Sequence, residues 1–276
     1  MNGRTLLWGG TAVVLWGGII VVVVGLAATY FYEWNHKAAP PPPRATAPSA
    51  PAKPEPAIHH PVPGASEQTQ TPATALPTLS DSDAAIVGAL TQFFGKSAAA
   101  RFLVPTNVVR NIVVTVDNLP RQKVAVERRP VKPTPGQTLA DGDADAGETV
   151  TLNVRNFARY APFVSAVQAT DSKQLAALYF HWYPLFQEAY EGLGYPGHYF
   201  NDRLVEAIDD LLATPEIKGP IRLVRPKVFY EYADPTLEAR SAGQKLLIRM
   251  GPDNAAQIKS KLRELRVEVI GQAHPG

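Results

Sequence analysis

From residue 79 onward, apolar side chains recur at intervals of three and four, the period of helices that bury one side. Ile86, Leu90, Phe93 and Phe94 share a face behind the N-cap oxygens of Ser80, Asp81, Ser82 and Asp83, and Gly95 ends that helix. A short helix from Ser97 carries Phe102 and Leu103. Val108, Val109, Ile112, Val113 and Val116 are β-branched, but their spacing is helical, and the spacing decides for a helix ending near Pro120. Phe157, Tyr160, Phe163, Val164 and Val167 predict another, bent or restarted at Pro162. Asp171 caps a longer helix whose stripe runs through Leu175, Leu178, Tyr179, Trp182, Leu185, Phe186, Ala189 and Tyr190, with a kink expected at Pro184 and a stop at Gly192 and Gly194. Asn201 and Asp202 cap the next, which turns Leu204, Val205, Ile208, Leu211 and Leu212 inward. Further helices start at Pro235 and near Ser241, the latter stopped by Gly251, and a last one starts at Pro252. Residues 149–154 and 221–232 alternate weakly and predict a short strand and a small hairpin or arm.

The N-terminal third has another pattern. No residue from 5 to 32 is charged, a run long enough to cross a bilayer, with aromatic residues near its ends. Gly10 and Gly17, with Thr11, Gly18 and Gly25 beside them, repeat every seven residues and would let a second membrane helix approach closely. From 38 to 78 the composition changes to proline, alanine, threonine and serine. Twelve prolines fall there and no aromatic residue does, so this stretch buries too little apolar surface to order itself. The expected organisation is therefore a transmembrane anchor over residues 1–37, a disordered proline-rich linker over 38–78, and a helical globular domain over 79–271. The fold class is mainly α: one multi-helix domain with a few short strands, behind a single membrane helix and its linker.

Charge and composition add three limits. The net charge of +2 gives no argument for a nucleic-acid partner. The chain has no cysteine, which excludes disulfides, thiol catalysis and thiolate metal sites and suits an oxidising compartment. Basic residues flank the uncharged run on both sides (Arg4 before it, Lys37 and Arg44 after), so their count leaves orientation open; the linker and the missing cysteines favour a domain outside the cytoplasm.

Residues 178–212 hold the densest chemistry. Two strongly apolar helices meet there at a loop carrying Tyr195, His198, Tyr199 and Phe200, followed by Asn201, Asp202 and Arg203. Rings beside the free N–H groups of a helix start are the material of a recognition site, and equally of a plug in a helix–helix junction. The candidate binding residues are Tyr195, His198, Tyr199, Phe200, Asn201 and Arg203. His181 and Glu188, seven apart on one helix, and Asp209 form an acid–base alternative; against it, Glu206, Asp209 and Asp210 read as parts of a solvated face. His59 and His60 read as adjacent histidines in a disordered tract. No nucleophile elbow, phosphate loop, dinucleotide fingerprint or zinc signature is present, so no cofactor and no metal is expected.

Several strings carry a resemblance: LPTLSDSD from Leu76, VTVDNLPR from Val114, YPLFQEAYEGLGYP from Tyr183, YFNDRLVEAIDDLLATP from Tyr199 and ADPTLEARSAGQKLLIRMG from Ala233. Over residues 76–270, and in its layout of anchor, linker and domain, the chain resembles a proteobacterial family known only as a domain of unknown function. The resemblance implies an inner-membrane protein with its C-terminal domain in the periplasm, and it assigns no catalytic residue. Two functions follow as expectations. One is a membrane-tethered, non-catalytic binding or scaffold module for an envelope protein or peptidoglycan. The alternative is an envelope hydrolase that cleaves glycans with paired carboxylates.

Overall fold

The structure is a computed structural model that describes residues 58–62, 76–123, 125, 127–143, 148–226 and 229–271. The expected membrane span and most of the expected linker lie outside these residues. No helix among the described residues is long and apolar enough to cross a membrane.

The fold is mainly helical, with nine α-helices and four short strands among the described residues. In chain order the helices are α1 (Asp83–Phe94), α2 (Lys96–Phe102) and α3 (Val108–Asn118), then α4 (Phe157–Gln168), α5 (Ser172–Glu191) and α6 (Phe200–Leu212). After these come α7 (Pro235–Glu238), α8 (Ala242–Met250) and α9 (Pro252–Gly271). The strands β1 (Ala140–Asp141), β2 (Val150–Leu152), β3 (Arg222–Val224) and β4 (Glu231–Tyr232) form one antiparallel sheet in that spatial order. The expected hairpin over residues 221–232 is present as β3 and β4. β1 lies where the hydrophobic pattern predicts no element.

The β-branched run over residues 108–116 is helical, because its apolar face is buried against α5 and α6, and that burial outweighs a weak strand preference. Asparagine and aspartate continue the buried face: Asn111 and Asp117 are each 6% exposed. α5 remains one continuous helix through Pro184 and is the central strut of the core, with Leu175, Tyr179 and Phe186 almost fully enclosed. α9 closes the core from the other side against α4, α5 and α6, inserting Ile258, Leu262, Leu265 and Val269. Lys261 is buried on the same helix and is satisfied by the Thr170 carbonyl at 2.9 Å and the Glu264 carboxylate at 2.7 Å.

α8 joins two apolar clusters. Leu246, Leu247 and Met250 belong to the main core, whereas Ile248 packs with Val150, Leu152, Ile221, Leu223 and Tyr232 behind the sheet. All nine of its residues are buried, so its two cations need fixed partners. Lys245 Nζ donates to Glu238 Oε1 at 2.8 Å, and Arg249 donates to the Tyr230 carbonyl at 3.0 Å while lying over the Tyr232 ring.

The capping chemistry differs from expectation at the N-terminus of the domain. Ser82 occupies the N-cap of α1 without a side-chain cap bond. Asp83 instead reaches across to α3, accepting the N–H groups of Asn107 at 2.7 Å and Val108 at 2.8 Å. Asn107 sits there with φ 51°, and its own side chain makes no cap. The cap is supplied from another helix because the tight turn at Asn107 points its N–H groups toward α1. Replacing Asp83 by alanine should therefore cost about 1–2 kcal/mol, the loss typical of a removed cap carboxylate. Urea unfolding followed by far-ultraviolet circular dichroism measures it, and a loss below about 0.5 kcal/mol would exclude this role.

Candidate functional site

The loop between α5 and α6 is held from the α5 side. Gln187 Oε1 accepts the Phe200 N–H at 2.9 Å and the Tyr183 hydroxyl at 3.0 Å. Its Nε2 donates to the His198 carbonyl at 2.8 Å and to Glu191 at 2.7 Å. The first N–H of α6 is thus capped by Gln187. Asn201 and Asp202 do not cap this helix as expected: Tyr199 is the N-cap residue, and the helix has already begun at Phe200. The two polar side chains are released for other contacts.

Those contacts are with a part of the chain that composition reads as linker. Residues 58–62 lie along the start of α6. Asp202 accepts the His59 N–H at 3.1 Å and the His60 N–H at 2.7 Å, one on each carboxylate oxygen. Asn201 Nδ2 donates to the His60 carbonyl at 2.9 Å. The Tyr199 hydroxyl accepts the Val62 N–H at 3.2 Å, and the Val62 side chain is buried in the main core. Pro61 has no N–H, so every backbone donor from 59 to 62 has an acceptor. Residues 58–62 thus depart from the disorder expected over 38–78. Three side chains satisfy the backbone there, and one apolar anchor adds the burial that the proline-rich composition lacks.

Beside this segment opens a cleft of about 510 Å³, lined by His59, His60, Tyr190, His198, Tyr199, Asp202, Arg203, Val205, Glu206 and Asp209. Two of its lining residues, Arg203 and Glu206, belong to an ionic network. Arg203 binds Asp117 through Nε at 3.1 Å and Glu206 through Nη1 at 2.6 Å, and its Nη2 also donates to the Asp117 carbonyl. Arg121 donates to both Asp117 oxygens at 3.0 Å and to the Tyr195 hydroxyl at 2.7 Å. Tyr195 in turn stacks on Tyr190 with ring centroids 4.8 Å apart. Burial, with the nearby Asp117 carboxylate, pushes the Tyr190 phenol up to about 12. Burial also raises Tyr179 well above the usual phenol range and raises Tyr183. Both therefore stay protonated donors, Tyr179 to Asn201 Oδ1 at 2.9 Å.

The six expected binding residues come together but divide in role. Phe200 is 1% exposed and stacks with Phe186 at 5.8 Å, so it belongs to the core. Asn201 is fully buried, yet its amide reaches the docked segment. Tyr195 and Tyr199 are half-buried, with their rings on the core and their hydroxyls in the site. His198 is exposed, and Arg203 is fixed in the network. Of the acid–base alternative, His181 and Glu188 are exposed on α5, and neither lines this cleft, which Asp209 does. Asp209 is bound by Arg266 at 2.5 and 3.0 Å. Asp210 is not on a solvated face. It accepts from Ser241 at 2.6 Å and from Gln244, and burial raises its pKa.

Sequence reasoning missed Gln187, Asp117 and the docking of residues 58–62. Asp117 had a signal, being a carboxylate four residues after Val113 on an apolar stripe, which requires a buried partner. Because the Tyr199 ring stays on the core in Tyr199→Phe while its acceptor is lost, that change should cost under about 1 kcal/mol of stability. It should also raise amide hydrogen exchange at Val62 at least tenfold. Unchanged exchange there would remove the hydroxyl from the docking contact.

A family model described as a protein of unknown function, DUF3014, matches residues 108–266. No curated protein and no solved structure matches the chain. The matched span holds Asp117, Gln187 and the whole α5–α6 junction, and it covers more than half of the sequence. The chain belongs to the DUF3014 family.

Proposed function

We propose that the chain is a non-catalytic binding module of the cell envelope, tethered to the inner membrane by residues 5–32 with its helical domain in the periplasm. Its binding surface is the α5–α6 junction, and its ligand is an extended segment of an envelope partner protein. The observation that carries this reading is the grip of Tyr199, Asn201 and Asp202 on the backbone of residues 58–62. Side chains that read successive N–H and C=O groups recognise an extended peptide by its main chain. The tether is supported by the uncharged run and the proline-rich composition that follows it. The three carboxylates that line this cleft are already engaged, Asp202 with the N–H groups of His59 and His60, Glu206 with Arg203 and Asp209 with Arg266. That pairing favours binding over hydrolysis.

The test is site-specific photocrosslinking in the envelope from a reactive residue placed at the exposed His198. A discrete adduct with an envelope protein, lost when Asp202→Ala is added, is expected. An adduct with peptidoglycan alone, or none, would overturn the reading.

A further inference from the structure

Resting on that reading, we infer that the start of α6, with Tyr199, Asn201 and Asp202, is a receptor for an extended, proline-containing peptide, and that residues 58–62 occupy it in cis as a built-in competitor that the partner's peptide displaces.

The pattern of contacts defines the ligand. Two successive backbone donors meet the two oxygens of Asp202, a carbonyl meets Asn201, proline stands where no acceptor is offered, and the following N–H meets Tyr199. The residue after the proline must be aliphatic, because Val62 is buried in the core. The side chains at the first two positions are not demanded: Ile58 is 55% exposed, and His59 is exposed.

The resident segment is also an imperfect ligand. His60 Nδ1 is enclosed without a hydrogen-bond partner. A buried polar atom left unpaired weakens the bound state, so a peptide with an apolar residue at that position binds better. This decides between the two sources of a trans ligand. A second copy carries the same segment and would compete with a cis segment at millimolar effective concentration, so it cannot displace it. A partner protein whose peptide lacks the buried orphan can. Displacement releases residues 58–62 from the domain, and 18 residues, the number from 58 to 75, reach at most about 60 Å when fully extended. Partner binding and the reach of the domain from its anchor are then one equilibrium.

The experiment uses the full chain in detergent micelles and a fluorescein-labelled peptide of residues 57–64. In the chain, His60→Pro removes one of the donors to Asp202. The labelled peptide is expected to bind this variant at least tenfold more tightly than it binds the parent chain. Adding Asp202→Asn should abolish that gain. A peptide carrying leucine at the His60 position should bind more tightly still, and one carrying proline there should not bind. Should His60→Pro lower the melting temperature by more than a few degrees, replacement of residues 58–62 by a glycine–serine run serves in its place. Equal binding by parent and variant, or binding insensitive to Asp202→Asn, would overturn the inference. A parent chain that is dimeric by light scattering and dissociates on adding the peptide would overturn the cis occupancy. If photocrosslinking to an envelope protein still depends on Asp202 while these peptides fail to bind, the competitor falls and the binding module stands.

Discussion

Asp117→Ala is expected to lower the stability of the protein by about 3–5 kcal/mol, the loss seen when one partner of a buried charge pair is removed. Asp117 is 6% exposed and holds two arginines from different parts of the chain, Arg121 just beyond α3 and Arg203 on α6. Arg203, whose side chain is 13% exposed, would keep only Glu206 and the Asp117 carbonyl. Glu206 is 61% exposed and cannot replace a buried counter-charge. The partly exposed Arg121 pair contributes little to this figure; the desolvated Arg203 pair carries it. A double variant, Asp117→Ala with Arg203→Met, separates the terms. Removing both partners leaves no buried charge uncompensated, because the Arg121 and Glu206 left behind are 48% and 61% exposed, so the double variant should be more stable than Asp117→Ala alone. Urea unfolding of the four proteins gives the cycle. A loss below about 1 kcal/mol for Asp117→Ala, or strict additivity in the cycle, would show that the pair is not coupled.

Gly251→Ala should be of similar size, about 3–5 kcal/mol, for two separate reasons. Gly251 links α8 to α9 with φ 86° and ψ 161°, a conformation that L side chains rarely adopt. A Cβ at this position would also lie 2.5 Å from Cγ of Phe157 and 2.6–2.7 Å from the neighbouring ring atoms. Any relief must move the Phe157 ring, which packs behind the sheet, or the start of α9. Adding Phe157→Ala, which removes Cγ and the whole ring, should relieve the overlap, so that relative to Phe157→Ala alone Gly251→Ala costs only the backbone strain of about 1–3 kcal/mol. Thermal unfolding of single and double variants measures both parts. A single-variant loss below about 1 kcal/mol would mean that the link between α8 and α9 can adopt another path.

Much of this architecture was legible because helix periodicity is local. The stripes of α3, α4, α5, α6 and α9 can each be read within a few turns of chain, and so can the glycine stop at Gly251 and the cap at Asp171, which accepts the Gln174 N–H at 2.8 Å. The gathering of Tyr195, Tyr199, Asn201 and Arg203 was equally readable, since the nine residues from 195 to 203, one loop and helix start, cannot lie far apart. What each does there was not. Phe200 and Tyr199 are adjacent aromatic residues, yet one fills the core and the other keeps its hydroxyl in the site; only the direction of the helix start separates them.

The sequence alone determined the helical class and the family, because these depend on spacing and on strings of neighbouring residues. The tertiary structure decided everything that joins distant residues. Asp83 caps a helix that begins 25 residues later, Asp117 neutralises an arginine 86 residues away, and residues 59–62 meet Asp202 and Tyr199 across some 140 residues. Such pairings leave no local trace. A carboxylate's partner is set by which N–H or guanidinium the packing brings within 3 Å, and that packing exists only once the helices have buried their stripes.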